Sequence, residues 1–597
     1  MAAKNFIRPD LLTLDDLLKD KLFEIPKFQR PYSWKTAQRN DLFSDIDTLL
    51  KDKKRIHFMA TIVCLEKKKI NYGTDELSRM QVVDGQQRLT TLVVLLKAIQ
   101  LELSNSQNSK EKKEGEKLQK TIVRGRQLVL LQTNHQSAQM FREYLVSGTI
   151  PDPSAQKTIA ERDVAMAIKE CGAYVQGKKQ ELLDLLKALK NRLQFIFYTI
   201  NDEKVVYTVF EVLNSRGLPV ASLDKCKSML MGIVYEKYKR AAERKEIIES
   251  LHDVWESIYS AIGTSKISDS ELLRFAATLC YFKSYSKSAS SYGISTLGKT
   301  LSEDEALKYF DVIARDANRS NDLPKSLQDV NEDICVLVSK VIKQVAEMLA
   351  AFEADVKKNN AVTNVTQARL LAVSIGLSNY SQGEKDELNS LWEKITFRIY
   401  GLHNKDSRNC VGDYVRLARN IYFTCAFDDA KKSLDSIGKD YPIATAVAEL
   451  KGKPWYRDYK DQLKYVLFRY EEHLAKQNGT QISAQVWSQI WSDTPSKTIE
   501  HIYPETYTSK LQTNWPNPKV TCQEELDTFV HNIGNLTLLP PGLNSSLGQK
   551  PFRDKKAEYK RYGLRITDDV VKKRSWKKKD IEAREQDILN FIQTEWA

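Results

Sequence analysis

The chain has 597 residues, 28% charged and 42% apolar, with a formal net charge of +13. That balance excludes a mainly disordered chain, and the length, several times a usual domain of roughly 100–200 residues, excludes a single core. No run of roughly 18 apolar residues occurs, which excludes a membrane-spanning helix. Glycine (23) and proline (16) are scarce, which predicts long helices and few hairpins. The eight cysteines include no Cys-x-x-Cys pair, so a disulfide framework or a four-cysteine zinc site is not expected, and a reducing, cytoplasmic compartment fits. The first ten residues, MAAKNFIRPD, lack the apolar core of a signal peptide. The positive charge suits a polyanionic partner, although basic globular proteins without one are common.

Residues 1–235 read as the mixed part of the chain. Segments 59–65 (MATIVCL), 79–84 (RMQVVD) and 193–200 (LQFIFYTI) are rich in β-branched and aromatic residues and predict strands. Leu89, Leu92, Val93, Leu96, Ile99 and Leu103 recur at intervals of three and four and predict a helix with one apolar stripe. Residues 104–117 (SNSQNSKEKKEGEK) hold no apolar side chain and predict a solvated loop.

Three polar boxes punctuate this part. Gln29 and Arg30 lie in IPKFQRPYSW, where Pro26 and Pro31 forbid a regular helix and three aromatics flank the arginine. Asp84, Gly85, Gln86, Gln87 and Arg88 lie between a predicted strand and the striped helix. Gly85 permits a tight turn, and the helix start offers free N–H groups and a positive dipole end, a natural phosphate site. Arg88 can add a bidentate contact, and Asp84 can hold a metal or a hydroxyl. The third box sets Asn214, Arg216 and Gly217 after a helix, which also has the look of an ordinary C-cap turn.

Residues 236–480 read as helical. Ser268-x-x-Glu271 and Ser302-x-x-Glu305 each precede an apolar run and predict capping boxes. No residue in this stretch suggests chemistry; it reads as a bundle that connects or gates the units on either side.

Residues 481–597 change character. Strand-like segments punctuated by Pro and Asn run from 495 to 545. Between residues 550 and 579 there are 13 Lys/Arg and 4 Asp/Glu, a net +9, with Trp576 set among cations. Such a stretch reads either as a solvated surface with one anchoring tryptophan or as a phosphate-contacting flank.

Two spaced segments here carry the ingredients of phosphodiester hydrolysis: Glu500-His501-Ile-Tyr-Pro504, then His531-Asn-Ile-Gly534-Asn535, with Asn544 nine residues further on. Hydrolysis needs a divalent ion to neutralise charge, oxygen ligands for it, and a base near pH 7. Glu500 and Asn544 supply oxygens, and neutral His501 supplies the base. Neighbours in a strand face opposite ways, so Glu500 and His501 serve one site only at a bend or strand end, which Pro504 favours. Taken alone, a Glu-His pair is usually a surface salt bridge; the weight lies in the combination.

That combination resembles the HNH (ββα-metal) nucleases. Its particular form, IGNLTLL at 533–539, then Phe552-Arg-x-Lys555 and a closing Trp576…Ile581-Glu-x-Arg584…Trp596, resembles the C-terminal domain of GmrSD-type modification-dependent (type IV) restriction enzymes. The three N-terminal boxes, in their order, resemble the ParB-like N-terminal domain of the same family. The resemblance implies an α+β multidomain, predominantly helical chain: a ParB-like domain at 1–235, a helical middle at 236–480 and an HNH domain at 481–597. It implies an NTP-regulated, modification-dependent DNA endonuclease of anti-phage defence in the bacterial cytoplasm. His501 is then the general base, Glu500 and Asn544 ligate Mg²⁺ or another divalent ion, and Asn535 pins the loop presenting His501. Gln29, Arg30, Asp84, Gly85, Gln86, Gln87 and Arg88 form a GTP or ATP site, completed by Asn214 and Arg216, with NTP hydrolysis an open question. The implied partners are the nucleotide, double-stranded DNA carrying modified bases or backbone, and a second copy of the chain, since both strands must be cut. Without paired Cys-x-x-Cys ligands, the zinc-stapled variety of HNH is excluded. Two alternatives stay open: a nucleotide-regulated DNA-binding switch whose HNH fold is non-catalytic, and an RNA nuclease with the same chemistry.

Overall fold

The computed structural model describes residues 7–26, 29–72, 75–125, 128–133, 137–156, 158–201, 221–263, 267–281, 298–315, 332–355, 365–423, 425–481, 490–491, 495–508 and 511–597. The fold is α+β and predominantly helical, in two compact units: residues 1–296 with 300–354, and residues 297–299 with 355–597. Among the described residues, no helix is long and apolar enough to cross a membrane.

The first unit is built on strands β1 (Ile7–Thr13), β2 (Lys21–Ile25), β3 (His57–Glu66), β4 (Ile70–Tyr72), β5 (Asp75–Asp84), β6 (Val123–Arg124), β7 (Leu128–Val129), β8 (Leu131–Thr133) and β9 (Leu193–Ile200). Its main sheet has the order β1-β9-β3-β5-β2-β8, with β4 paired to β5. The sheet is mixed: β3 runs parallel to β9 and antiparallel to β5, and β2 runs parallel to β5 and β8. The three strands expected from β-branched content all occur, and each is longer than or equal to its sequence signal.

Helix Gln86–Ser104 leaves the end of β5 through Gly85, whose φ is +90. A side chain there would be strained, and its Cβ would also stand 3.2 Å from the carbonyl oxygen of Thr61. The helix was expected to bury one stripe. Instead it is buried on nearly every side, because helices Ser109–Ile122 and Ile159–Gln176 pack against it as well as the sheet. Even Lys97 is enclosed; it donates to Gln100 and Gln119, and burial lowers its ammonium pKa to about 8.

The loop expected at residues 104–117 is largely helix. Asn108 accepts a hydrogen bond from the N–H of Lys110 at 2.9 Å and starts helix Ser109–Ile122. This helix is anchored by Leu118 and Ile122, four residues apart, just beyond the polar run, and by Gly115, whose missing Cβ lets it approach Ser104. Composition alone could not reveal this, since a glycine fills the contact.

The helical expectation for 236–480 holds in the described residues. Ser302 and Glu305 exchange both bonds of a capping box, whereas Ser268 begins its helix without a side-chain cap. In the second unit, the strand-like stretch 495–545 reduces to two three-residue strands, β10 (Ile499–His501) and β11 (Leu536–Leu538), with short helices Leu511–Asn514 and Gln523–Asp527 between them. The strands are antiparallel, with Glu500 opposite Thr537 and His501 opposite Leu536, and helix Pro541–Leu547 follows. A core of Tyr503, Trp515, Phe529, Phe552, Tyr559 and Trp576 fills the space beside them.

So short a ribbon is not stable by itself. The turn Ile533–Asn535 is fastened to the last helix, Lys578–Glu595, by buried Arg584, which donates to the carbonyls of Gly534 (2.9 Å), Leu536 (2.8 Å) and Ile566 (3.2 Å). Gly534 makes this approach feasible: a Cβ there would overlap the carbonyl oxygen of Ile581 and stand 2.8 Å from the nitrogen of Glu585. Both obstacles are helix backbone and cannot rotate away. Gly534→Ala is therefore expected to destabilise this unit by the upper part of about 1–3 kcal/mol, read as a lowered denaturant midpoint for its transition.

Candidate functional site

Glu500 and His501 close β10, so of the bend or strand end that was expected, the strand end is what forms. Both lie within β10 and, as strand neighbours, face opposite ways. Glu500 is buried against helix Phe552–Tyr562, where its carboxylate accepts from Lys555 Nζ at 2.7 Å and from the Tyr559 hydroxyl at 3.3 Å. Lys555 also donates to the carbonyl of His501. Burial raises the Glu500 pKa against the pull of Lys555, and burial lowers that of Lys555 against the pull of Glu500. Glu500 thus forms a buried ion pair with Lys555 on the face away from the imidazole. Asn544 donates its amide hydrogens to the carbonyls of Lys497 and Ile499, both at 3.0 Å, which leaves only its oxygen for a ligand.

His501 faces a different set of groups. Its Nε2 lies 3.3 Å from Nδ1 of His531, and its Nδ1 lies 3.7 Å from a carboxylate oxygen of Glu505. Nε2 of His531 in turn lies 3.8 Å from Asp527. Tyr456 presents its ring to both imidazoles, edge to face with His501 at 4.5 Å and stacked on His531 at 5.8 Å, and its N–H donates to the His531 carbonyl. Lys460 lies over the Tyr456 ring at 4.3 Å. His501 is pushed well below its usual pKa, first by burial and then by His531, Lys555 and Lys460; His531 falls to about 4, again chiefly through burial. Both imidazoles are neutral at pH 7 and can accept a proton or bind a metal.

Asn535 is fully buried and uses its whole amide. Its oxygen accepts from the Tyr503 N–H (2.8 Å) and the Trp576 indole (3.1 Å), and its nitrogen donates to the carbonyls of Tyr503 and Val530, both at 2.9 Å. It therefore ties the segment just after His501 to the segment carrying His531. Trp576 serves that bond from the core, while its neighbours Arg574, Lys577, Lys578 and Lys579 are exposed.

The donors that converge fit a divalent ion. One ligand atom each from His501, Glu505 and His531 lie within 4.8 Å of one another, a mixed nitrogen and oxygen set. Sequence reasoning gave no role to Glu505, His531, Asp527, Tyr456 or Lys555. The signals available were the scarcity of histidine, seven in the chain, and the quoted Phe552-Arg-x-Lys555 spacing. Tyr456 and Lys460 come from the stretch that suggested no chemistry.

In the first unit, two glutamines of the boxes join the boxes to each other. Gln29 donates to the Val83 carbonyl at 3.2 Å; Gln87 accepts from the Ser33 N–H at 2.8 Å and donates to the Pro31 carbonyl at 3.1 Å. Arg30 lies 3.8 Å from both Asp224 and Asp269. Asp84 is largely buried, and that burial raises its pKa against the Gly85 N–H and the charge of Arg88. Arg30, Gln86 and Gln87 line a small cavity of about 10 Å³ together with Tyr32, Ser137 and Phe141. The Oε1 of Gln86 is buried beside it and, among the described residues, meets no hydrogen-bond partner. Asn214 and Arg216 lie outside the described residues.

Comparison with known families gives two matches. Residues 14–231 match the N-terminal domain of the GmrSD restriction endonuclease, and residues 444–591 match the C-terminal domain of the GmrSD restriction endonucleases. Together they span more than half of the chain, and the second includes Tyr456, Glu500, His501, His531, Asn535, Asn544 and Lys555. No curated protein matches the chain.

The Glu500–Lys555 pair gives a test of this geometry. Lys555→Met strands a buried carboxyl group and is expected to cost about 3–5 kcal/mol, whereas Glu500→Gln with Lys555→Met recovers most of the loss. The measurement is a double-mutant cycle on chemical unfolding.

Proposed function

The chain belongs to the GmrSD restriction endonucleases, a family of DNA-cutting enzymes, and on that premise we propose that it is a nucleotide-regulated, modification-dependent endonuclease that hydrolyses DNA at an HNH centre around His501. The observation that carries this reading is a neutral imidazole, held on strand β10 beside an exposed carboxylate, in a domain of nuclease descent. His501 accepts the proton of the attacking water through Nδ1, the nitrogen that faces Glu505. Glu505 is the residue that would hold a divalent ion by its oxygen, with the Asn544 oxygen available as a second donor. When bound, such an ion supplies positive charge to the phosphate. Asn535 is a positioning residue that keeps the His501 segment against the second strand. Lys460 and the exposed cations of residues 553–579 supply sequence-independent phosphate contacts.

We assign nucleotide binding to the start of helix Gln86–Ser104. In support, Gly85 frees the first-turn N–H groups, Arg30 and Arg88 bring positive charge, and the unpartnered Gln86 oxygen calls for a donor. GTP or ATP, the sensing of modified bases or backbone, and pairing of two chains to break both strands belong to this proposal.

One observation favours a second reading, the non-catalytic DNA-binding switch: Glu500 is held by Lys555 and is not free to ligate. Nicking of modified plasmid by the purified protein, with and without Mg²⁺ or Mn²⁺, separates the two, and a parallel RNA substrate separates the RNA nuclease.

His501→Ala is expected to abolish cleavage while sparing nucleotide binding; wild-type cleavage by that variant removes His501 from the mechanism. Because burial holds the His501 pKa well below 6.5, the basic form persists on acidification. The cleavage rate is therefore expected to stay level down through pH 6.5 and to fall only below it; a fall centred above 6.5 contradicts the assignment. Arg88→Ala is expected to lose nucleotide affinity in calorimetry with the metal-dependent chemistry intact, and unchanged affinity would move the pocket elsewhere.

A further inference from the structure

The groups around His501 form a line: Asp527, His531, His501, Glu505. The separations are 3.8 Å from Asp527 to His531 Nε2, 3.3 Å from His531 Nδ1 to His501 Nε2, and 3.7 Å from His501 Nδ1 to Glu505. Three side chains in that line could instead each give one lone pair to a single ion, since their ligand atoms lie within 4.8 Å of one another. The two uses exclude each other. In one, a hydrogen atom lies between the imidazoles; in the other, both facing nitrogens are bare and a cation lies between them.

The 3.3 Å contact between the imidazoles, taken with His501 as the base, decides which arrangement is self-consistent. Arg457 pairs with Asp527 and fixes it as a carboxylate beside His531 Nε2, and a carboxylate accepts a hydrogen bond but cannot donate one. That carboxylate, at 3.8 Å, and the Glu505 carboxylate, at 3.7 Å from His501 Nδ1, both lie beyond hydrogen-bond distance, so the assignment follows from the reading of His501 as the base: its Nδ1 is bare, its Nε2 carries the hydrogen, and His531 Nδ1 is the acceptor. That acceptor faces His501 Nε2, which then carries the hydrogen of the second imidazole. The lone pair of His501 emerges at Nδ1, toward Glu505 and away from the core. The Tyr456 ring stacked on His531 and the backbone bond from Tyr456 to the His531 carbonyl hold the second imidazole in this register.

We infer that His531 is a positioning residue for the reaction: by accepting from His501 Nε2 it selects the tautomer whose Nδ1 takes the proton from water, and it does not ligate the catalytic ion. This rests on the reading of His501 as the base and adds the group that orients it. No bond is made or broken at His531. The proton leaves water for His501 Nδ1, and the hydrogen between the two imidazoles stays on His501 and strengthens its bond as the imidazolium forms.

Three substitutions in the full-length protein test this, with cleavage of modified plasmid and Mn²⁺ affinity by calorimetry as separate readouts. Asn places Oδ1 where His carries Nδ1, and Gln places its oxygen nearer to Nε2. His531→Ala and His531→Gln are therefore expected to lower kcat by about 10–100-fold, with KM for DNA and Mn²⁺ affinity unchanged. His531→Asn is expected to restore most of kcat. If the Ala variant fails to fold, as judged by thermal unfolding, the Asn and Gln variants carry the comparison alone. Wild-type kcat in His531→Gln, equal loss in Asn and Gln, or Mn²⁺ affinity that falls together with kcat would each overturn the inference; the last makes His531 a ligand. His501→Ala measured alongside separates the two claims. An inactive His501→Ala with a fully active His531→Gln defeats only this inference, whereas an active His501→Ala defeats the proposed function as well.

Discussion

The C-terminal centre depends on one amide. Asn535 sits at the start of β11, fully buried, and makes four hydrogen bonds that join the chain after His501, the chain before His531 and the indole of Trp576. Two strands of three residues supply too few ladder bonds and too little apolar contact to hold His501 and His531 in place. The amide replaces the missing ladder, and a buried network of this kind is specific because leaving any one member unpaired is costly. Arg584 and Gly534 act on the same turn from the opposite side: one saturates three carbonyls and the other lets a helix backbone come close enough for that to happen. Asn535, Gly534 and Arg584 thus have one purpose, to fasten a minimal ribbon onto a helix.

The alternation of β10 divides the site's electrostatics. Glu500, on one face, belongs to Lys555 and Tyr559 in the core of the second unit; His501, on the other, belongs to His531, Glu505 and the Tyr456 ring. Burial first, and then His531, Lys555 from the other face and Lys460 over the Tyr456 ring, keep the imidazole neutral. A neutral imidazole is what proton abstraction at pH 7 requires. The carboxylate next to it in sequence contributes indirectly, by fixing the lysine that also bonds the His501 carbonyl.

The N-terminal boxes show the same economy of polar side chains. Gln29 and Gln87 bond to backbone groups of the opposite box and so make one surface of two Pro- and Gly-interrupted segments. What remains for a ligand is Arg30, Arg88 and the buried Gln86 oxygen at the start of a long helix. Arg30 also faces Asp224 and Asp269, so anion binding there competes with two carboxylates.

Local pattern by itself determined a good deal: the strands rich in β-branched residues, the helix that Gly85 releases, the Ser302–Glu305 cap and the helical middle. Each rests on forces acting within a few residues of chain, so composition and spacing carry them. Three features were decided only by tertiary packing. Residues 104–117 are polar enough for a loop, yet a glycine contact and two apolar residues beyond them make a helix when a neighbour is present. Glu500 carries a carboxylate suited to an ion, yet the pleat of β10 turns it to a lysine 55 residues away. His531 and Tyr456 became partners of His501 because a turn and a helix from two separate stretches meet the end of β10 there. Long-range contacts leave no periodic trace in a single sequence, and the direction of a buried charge is set by whichever opposite charge the fold brings within reach.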